Sequence, residues 1–186
     1  MKRTSFTEIA VSDNEKRAVL QKSTLCRGMD RAELQFIAPF FQCYQLGEGA
    51  RIYEEGDAEA FLFLIVIGEV HIIKVGDKVI TTLGAGETVG EMTIVDEQPR
   101  SASAVAVSYS VVYALTRSSL NEIHNKSLPI WAKLFFNIAV NLSYRLRNTS
   151  EMLSQFMLSP NDTTVVSTDN EFHPFIKVVN QSERVI

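Results

Sequence analysis

The chain is 186 residues long, 46% hydrophobic and 22% charged, with 9 Gly and 5 Pro. That is the composition of one folded domain with an extension, and it excludes a disordered or fibrous polypeptide. The longest uninterrupted apolar run, residues 60–67 (AFLFLIVI), is far short of the roughly 20 residues a membrane helix needs. The formal charge of −4, from 18 basic against 22 acidic residues, provides no general field for a polyanion such as nucleic acid, so an anionic ligand is expected to be small and locally held.

The start, MKRTSFTEIAVSDNEKR, has no apolar stretch of signal-peptide type. The two cysteines, Cys26 and Cys43, read as reduced thiols of a cytoplasmic protein and not as a disulfide scaffold. Residues 14–22 read as a short helix. Asp30, Arg31, Ala32 and Glu33 have the spacing of a capping box that opens a second helix over residues 31–38, stopped by Pro39. Then the period changes. Strand-like stretches cover residues 42–46, 51–54, 60–67, 69–75, 78–83, 102–107 and 110–116, separated by turns such as Gly76-Asp77 and Gly84-Ala85-Gly86. Short strands at this spacing predict an α+β chain with an antiparallel jelly-roll or small barrel at its centre. Between Gly90 and Pro99 the rhythm breaks, and GEMTIVDEQP is expected to form a helical turn and loop, a natural place for a ligand.

A connecting helix is expected over residues 117–125 and a long one over 128–158, with Pro129 in its first turn. Within the long helix Phe135, Ala139, Leu142, Leu146, Thr149, Leu153 and Phe156 recur at alternating steps of four and three, the spacing of a coiled-coil seam for a second chain. Trp131, Leu134 and Ile138 lie elsewhere on the helix and suit packing onto the strands. The alternative is a wide apolar face buried within one monomer. This gives three expected parts: residues 1–127 with the strands and N-terminal helices, the long helix 128–158, and a tail or small hairpin over 159–186, with β-like pieces at 164–166 and 175–179.

The informative segment runs from Gly86 to Ala106, GETVGEMTIVDEQPRSASAVA. It offers a glycine-opened turn of backbone amides, a carboxylate at a helix start (Glu91), and a guanidinium followed by a hydroxyl (Arg100, Ser101). Free N–H groups and an arginine fork both suit a phosphate. The carboxylate would repel that phosphate unless it accepted from a donor such as a ribose hydroxyl, so the set favours a phosphorylated sugar over a bare anion. The alternative is that Arg100 and Glu91 simply pair with each other on the surface.

This pattern, Gly-Glu-x-small-hydrophobic followed by Pro-Arg-Ser-Ala, resembles the phosphate-binding cassette of cyclic nucleotide-binding domains, the family of the bacterial catabolite activators and of kinase regulatory subunits. The upstream GARIYEEGDAEAFLFLIVIGEVHIIK is similar to that family's strand region, and the resemblance spans roughly residues 14–158. It implies that Glu91 accepts the ribose 2′-OH, that Arg100 pairs with the cyclic phosphate, and that Gly90, Glu91 and Ser101 bring amides or a hydroxyl to sugar and phosphate. Met92, Thr93 and Ala102 complete the implied ligand-binding set. Thr93 stands where many members have Ala. Tyr144 to Glu151, YRLRNTSE, resembles the dimer helix of the activators, and the resemblance implies that Thr149 and Ser150 touch the base, one from each chain. Thr149 is the polar residue of the seam, and a buried hydroxyl needs a partner; a bond to its own i−4 carbonyl is the alternative.

The histidines, His71, His124 and His173, have no metal-ligand spacing, and no nucleophile, base and orienter set is visible, so no enzyme, metal or cofactor is expected. The 28 residues after Leu158 hold Lys177 and Arg184 against four acidic side chains, which argues against a helix-turn-helix and against direct DNA binding. The resulting expectation is a stand-alone cAMP sensor, with cGMP possible, that dimerises through the long helix and signals to an unidentified effector protein without touching a membrane. A structural module of the same fold and a truncated transcription regulator are the alternatives.

Overall fold

A computed structural model describes residues 6–74 and 78–158. The elements in chain order are β1 (Thr7–Glu8), α1 (Asp13–Leu20), α2 (Arg31–Ile37) with a 3₁₀ turn (Ala38–Phe40), β2 (Gln42–Leu46), β3 (Arg51–Tyr53), β4 (Phe61–Ile67), β5 (Val70–Lys74), β6 (Lys78–Leu83), β7 (Thr88–Val89), α3 (Glu91–Asp96), β8 (Ser103–Ala106), β9 (Ser110–Thr116), α4 (Arg117–Lys126) and α5 (Leu128–Leu158). The chain divides into two compact units, 1–147 and 148–186. The expected turn at Gly76-Asp77 and the expected tail or hairpin at 159–186 lie outside the described residues.

The strands form two antiparallel sheets, in the orders β1-β2-β9-β4-β7 and β3-β8-β5-β6. This is the jelly-roll arrangement of two packed sheets; the closed barrel admitted by the sequence reading is not what the strand pairing gives. The facing sides of the sheets share one core, with Ile52, Val70, Leu83 and Ala104 on one side and Phe63, Ile65, Val112 and Ala114 on the other. The outer face of the larger sheet is also covered. Leu62 and Leu64 of β4 and Val111, Tyr113 and Leu115 of β9 pack with Leu20, Leu34, Ile37, Leu120, Ile123, Leu134 and Ile138 from the helices. A strand buried on both faces has no use for a polar alternation, and this accounts for the unbroken apolar run at residues 60–67.

Caps set the helix starts. Ser12 accepts from the Glu15 backbone N–H while Glu15 reaches back to the Ser12 N–H, and Asp30 and Glu33 do the same for α2. Both are complete capping boxes, the second as expected from sequence. On α5, Leu134 and Ile138 are buried as expected, and the Trp131 ring lies tilted against Phe135 with ring centroids 4.2 Å apart. Phe135 and Leu142, assigned from sequence to the seam, lie partly buried against the monomer's own core. Ala139 and Leu146 are exposed.

A second, polar stripe runs along α5 at four-residue steps. Lys133 donates to the Glu33 carboxylate at 2.7 Å. Asn137 donates to the carbonyls of Leu25 and Arg27 at 2.9 and 3.0 Å. Asn141 donates to the Thr24 hydroxyl at 3.0 Å, and that hydroxyl donates to the Gly86 carbonyl at 3.3 Å. Arg145 closes the series on Glu91 and the Thr88 carbonyl. The stripe fastens α5 to α2 and the loop before it at one end and to the start of α3 at the other.

Candidate functional site

The site is built around the irregular segment between β7 and β8. α3 opens at Gly90, whose φ of +82° lies in the left-handed region, and no side chain caps it. A Cβ placed on Gly90 would sit 2.8 Å from the Phe61 carbonyl oxygen and collide with Arg100 Nη1. Glycine is therefore required twice here, for its conformation and for the close approach of the guanidinium.

Arg100 is 4% exposed. Its Nη1 donates to the Gly90 carbonyl at 2.6 Å and its Nη2 to the Phe61 carbonyl at 2.7 Å. The guanidinium carbon lies 4.1 Å from the centroid of the Tyr53 ring, a cation–π platform. Its backbone is also pinned, since the Arg100 N–H donates to the Asp57 carbonyl and the Gly56 N–H to the Arg100 carbonyl, each at 2.9 Å. Burial pulls its pKa below the ordinary value, opposed by Tyr53, Asp57 and Glu91. The Nε, buried, has no hydrogen-bond partner. Of the five N–H donors of a guanidinium, two are taken by the Gly90 and Phe61 carbonyls and the buried Nε is unpaired, so the fork keeps donors for an anion. Arg100 also lines a cavity of about 240 Å³ together with Tyr53, Phe61 and Phe63.

Glu91 is 2% exposed and pairs with Arg145, which donates at the same time to the Thr88 carbonyl. Burial pushes the Glu91 carboxyl above the ordinary carboxylate range, and Arg145 opposes that shift, with smaller help from Glu91's own backbone hydrogen bond and from Arg100. Glu91 and Arg100 thus stand beside each other at the start of α3 without the surface ion pair that the sequence left open as an alternative. Each has its own partners.

The remaining expected residues divide. Thr93 and Ala102 are buried, Thr93 3% and Ala102 8% exposed. Met92 and Ser101 are exposed and meet each other, the Ser101 hydroxyl lying 3.8 Å from Met92 Sδ. Thr149 and Ser150 belong to the second unit and are exposed on the surface of α5. Sequence reasoning missed Arg145 and Tyr53. Arg145 stood inside the segment YRLRNTSE, four residues before Thr149, and its place in the polar stripe at 133, 137, 141 and 145 was the available signal. Tyr53 carried no such signal, because a tyrosine in a three-residue strand is indistinguishable from a core residue. Among the described residues no group of three or more His, Cys, Asp or Glu is placed to hold a metal ion, and no helix is long and apolar enough to cross a membrane.

Comparison with known proteins finds similar sequences and folds. Residues 44–127 match the family described as the cyclic nucleotide-binding domain. The cyclic AMP receptor protein of Thermus thermophilus is 33% identical over 132 residues, which covers 69% of this chain and 59% of that protein. A cGMP-dependent protein kinase of Toxoplasma gondii is 32% identical over 111 residues, covering 59% of this chain and 11% of the kinase. The chain therefore spans about three fifths of the first relative and a small part of the second. A cyclic nucleotide-binding domain from Methylobacillus flagellatus superposes with a TM-score of 0.72 at 26% identity, covering 87% of this chain and 92% of that one.

Proposed function

We propose that this chain, which carries a domain of the cyclic nucleotide-binding family over residues 44–127, is a regulatory cAMP sensor and not an enzyme. The observation that carries the reading is the clamped, buried Arg100, with its partnerless Nε and with Nη1 held on the Gly90 carbonyl where α3 opens. The cyclic phosphate would lie against that Nε and the backbone at Gly90, with Ser101 and the peptide around Ala102 on the exposed rim beside Met92. The ribose 2′-OH, the one sugar hydroxyl left free in a 3′,5′-cyclic nucleotide, would donate to Glu91. Thr93, small and buried, keeps the floor of the helix turn closed.

Glu91 is already bound to Arg145, so a ligand that donates to Glu91 bears directly on α5. A ligand shifts a conformational equilibrium only through contacts that differ between the two states. The Glu91–Arg145 pair supplies such a contact, and output through α5 to an effector protein follows from it. Phe136, Val140, Tyr144 and Leu146 are exposed apolar side chains on the first part of α5, and Met152, Leu153 and Phe156 on the second. These support a homodimer through α5, with Thr149 and Ser150 meeting the base. The name of the Thermus relative favours cAMP and that of the Toxoplasma kinase keeps cGMP as the runner-up. The expected setting is the cytoplasm, without direct DNA binding.

A second reading has its own support. The chain covers only 59% of the Thermus receptor, as the input half of a longer regulator would; the length of the natural gene product decides between the two. Calorimetric titration with cAMP and cGMP tests the proposal itself. Arg100→Ala is expected to weaken binding far more than Ser101→Ala, because a hydrogen bond to a charged group contributes about 1.5–3 kcal/mol against roughly 1 for a neutral one. No binding of either nucleotide at millimolar concentration would refute it.

A further inference from the structure

We infer that Arg117, the first residue of α4, is a positioning residue for the ligand site: it braces the far end of α3 and so holds Glu91 in place relative to Arg100. The inference rests on the nucleotide reading above for its functional meaning, and on separate geometry for its mechanics.

α3 has six residues, no side-chain cap at its start, and ends at Glu97, which has a φ of +60°. Glu97 is the non-glycine residue with positive φ among the described residues. A helix this short does not hold itself, since most of its carbonyls lack an intrahelical partner. Arg117 supplies donors to two of them. Its Nη2 reaches the carbonyls of Thr93 and Ile94 at 2.8 and 2.9 Å, and its Nη1 pairs with the Glu97 carboxylate, which holds the left-handed residue at the helix end. A guanidinium at a helix C-terminus also opposes the negative end of the helix dipole.

The other end of Arg117 is anchored to the opposite wall of the site. Its backbone N–H donates to the Ala60 carbonyl at 3.1 Å, and the next carbonyl along the chain, that of Phe61, is the one that takes Arg100 Nη2. One residue thus spans from the helix that carries Glu91 to the strand entry that carries the anchor of Arg100. The same residue begins α4, directly after the Thr116 cap, whose side chain accepts from the Ser119 N–H at 2.9 Å. The spacing between the carboxylate and the guanidinium is consequently set from outside the segment that contains them both.

The test uses the full chain and three variants, Arg117→Ala, Arg117→Lys and Glu97→Gln. Hydrogen exchange of the ligand-free protein reads the brace without any ligand: amides of residues 93–98 are expected to exchange at least about tenfold faster in Arg117→Ala. Titration with cAMP and 2′-deoxy-cAMP reads positioning. Wild type is expected to prefer the hydroxylated nucleotide by about tenfold or more, as the loss of a charged hydrogen bond implies. That ratio should shrink to under about threefold in Arg117→Ala, with partial recovery in Arg117→Lys and an intermediate ratio in Glu97→Gln. A general loss of stability would lower both affinities and leave the ratio alone. Unchanged exchange together with an unchanged ratio overturns the inference. Binding of neither nucleotide by wild type would defeat the functional reading, while exchange at 93–98 would still judge the brace. Should Arg117→Ala fail to fold, the two milder variants carry the same comparison.

Discussion

Replacing Gly90 by alanine tests the geometry of the site at its tightest point. At φ +82° an L-residue costs about 1–2 kcal/mol more than glycine. The new Cβ would lie 2.8 Å from the Phe61 carbonyl oxygen, too close for any real methyl group, so backbone must shift. It would also expel Arg100 Nη1 from its seat, and each charged hydrogen bond lost there contributes about 1.5–3 kcal/mol. Together these amount to about 3–5 kcal/mol of lost stability. At about 2–4 °C per kcal/mol for a chain of this size, the melting temperature should fall by about 10 °C. cAMP affinity should fall by about ten- to a hundredfold, because every 1.4 kcal/mol or so is a factor of ten. Gly84→Ala is the control: Gly84 has no positive φ and nothing lies within 4 Å of an added Cβ. Thermal melts and calorimetry on both variants decide. If Gly90→Ala melts and binds like Gly84→Ala, the close approach of Arg100 to Gly90 is not what builds the site.

Two further outcomes follow from buried titrating groups. Arg145→Ala removes the cation that opposes the raised pKa of Glu91, leaving a buried carboxylate whose charged form is disfavoured in the fold. A raised carboxyl keeps its contribution below the ordinary carboxylate pKa and loses it as pH rises through the folded value. Urea melts of Arg145→Ala should therefore show stability, relative to wild type, declining as pH rises above the ordinary carboxylate range, and Glu91→Gln in the same background should abolish the decline; a pH-independent difference contradicts this. Cys26, buried and pushed up to about 12 from 9.0, keeps its contribution below the ordinary thiol pKa and loses it above. Between pH 8 and 10 wild type should lose about 1.4 kcal/mol more than Cys26→Ala, and parallel losses in the two proteins would count against a buried, neutral thiol.

How far the sequence reaches depends on how local each cause is. The strands at 42–46, 78–83 and 110–116 and the helix at 128–158 come out at their observed bounds, because alternation, turn residues and caps are local signals. β1 and β7, two residues each, escape because they exist only as partners of β2 and β4. Glu91 and Arg100 are legible as a constellation because their chemistry is written within ten residues. Arg145 is not, since its meaning lies in a partner 54 positions away. Tyr53 and Arg117 are illegible for the same reason: a ring under a guanidinium and a side chain on two helix carbonyls are relations made only by folding. The seam on α5 illustrates the opposite hazard. Its periodicity is real, yet a period that suits a second chain suits the chain's own core equally well, and Phe135 and Leu142 pack there.

The polar stripe on α5 works like a ruler with unequal marks. Its two middle marks, Asn137 and Asn141, are the same residue, and both donate to neutral oxygens of one loop. A slide of four residues, about 6 Å along the axis, would bring Asn141 to the carbonyls that Asn137 now holds, with little change in chemistry. The end marks do not exchange in this way. The slide would leave Glu33 and Glu91 each without its cation, and Glu91 is buried. Register along the helix is therefore written at its ionic ends and left open in its middle, so whatever neutralises or engages Glu91 removes one of the two marks by which the position of α5 is read.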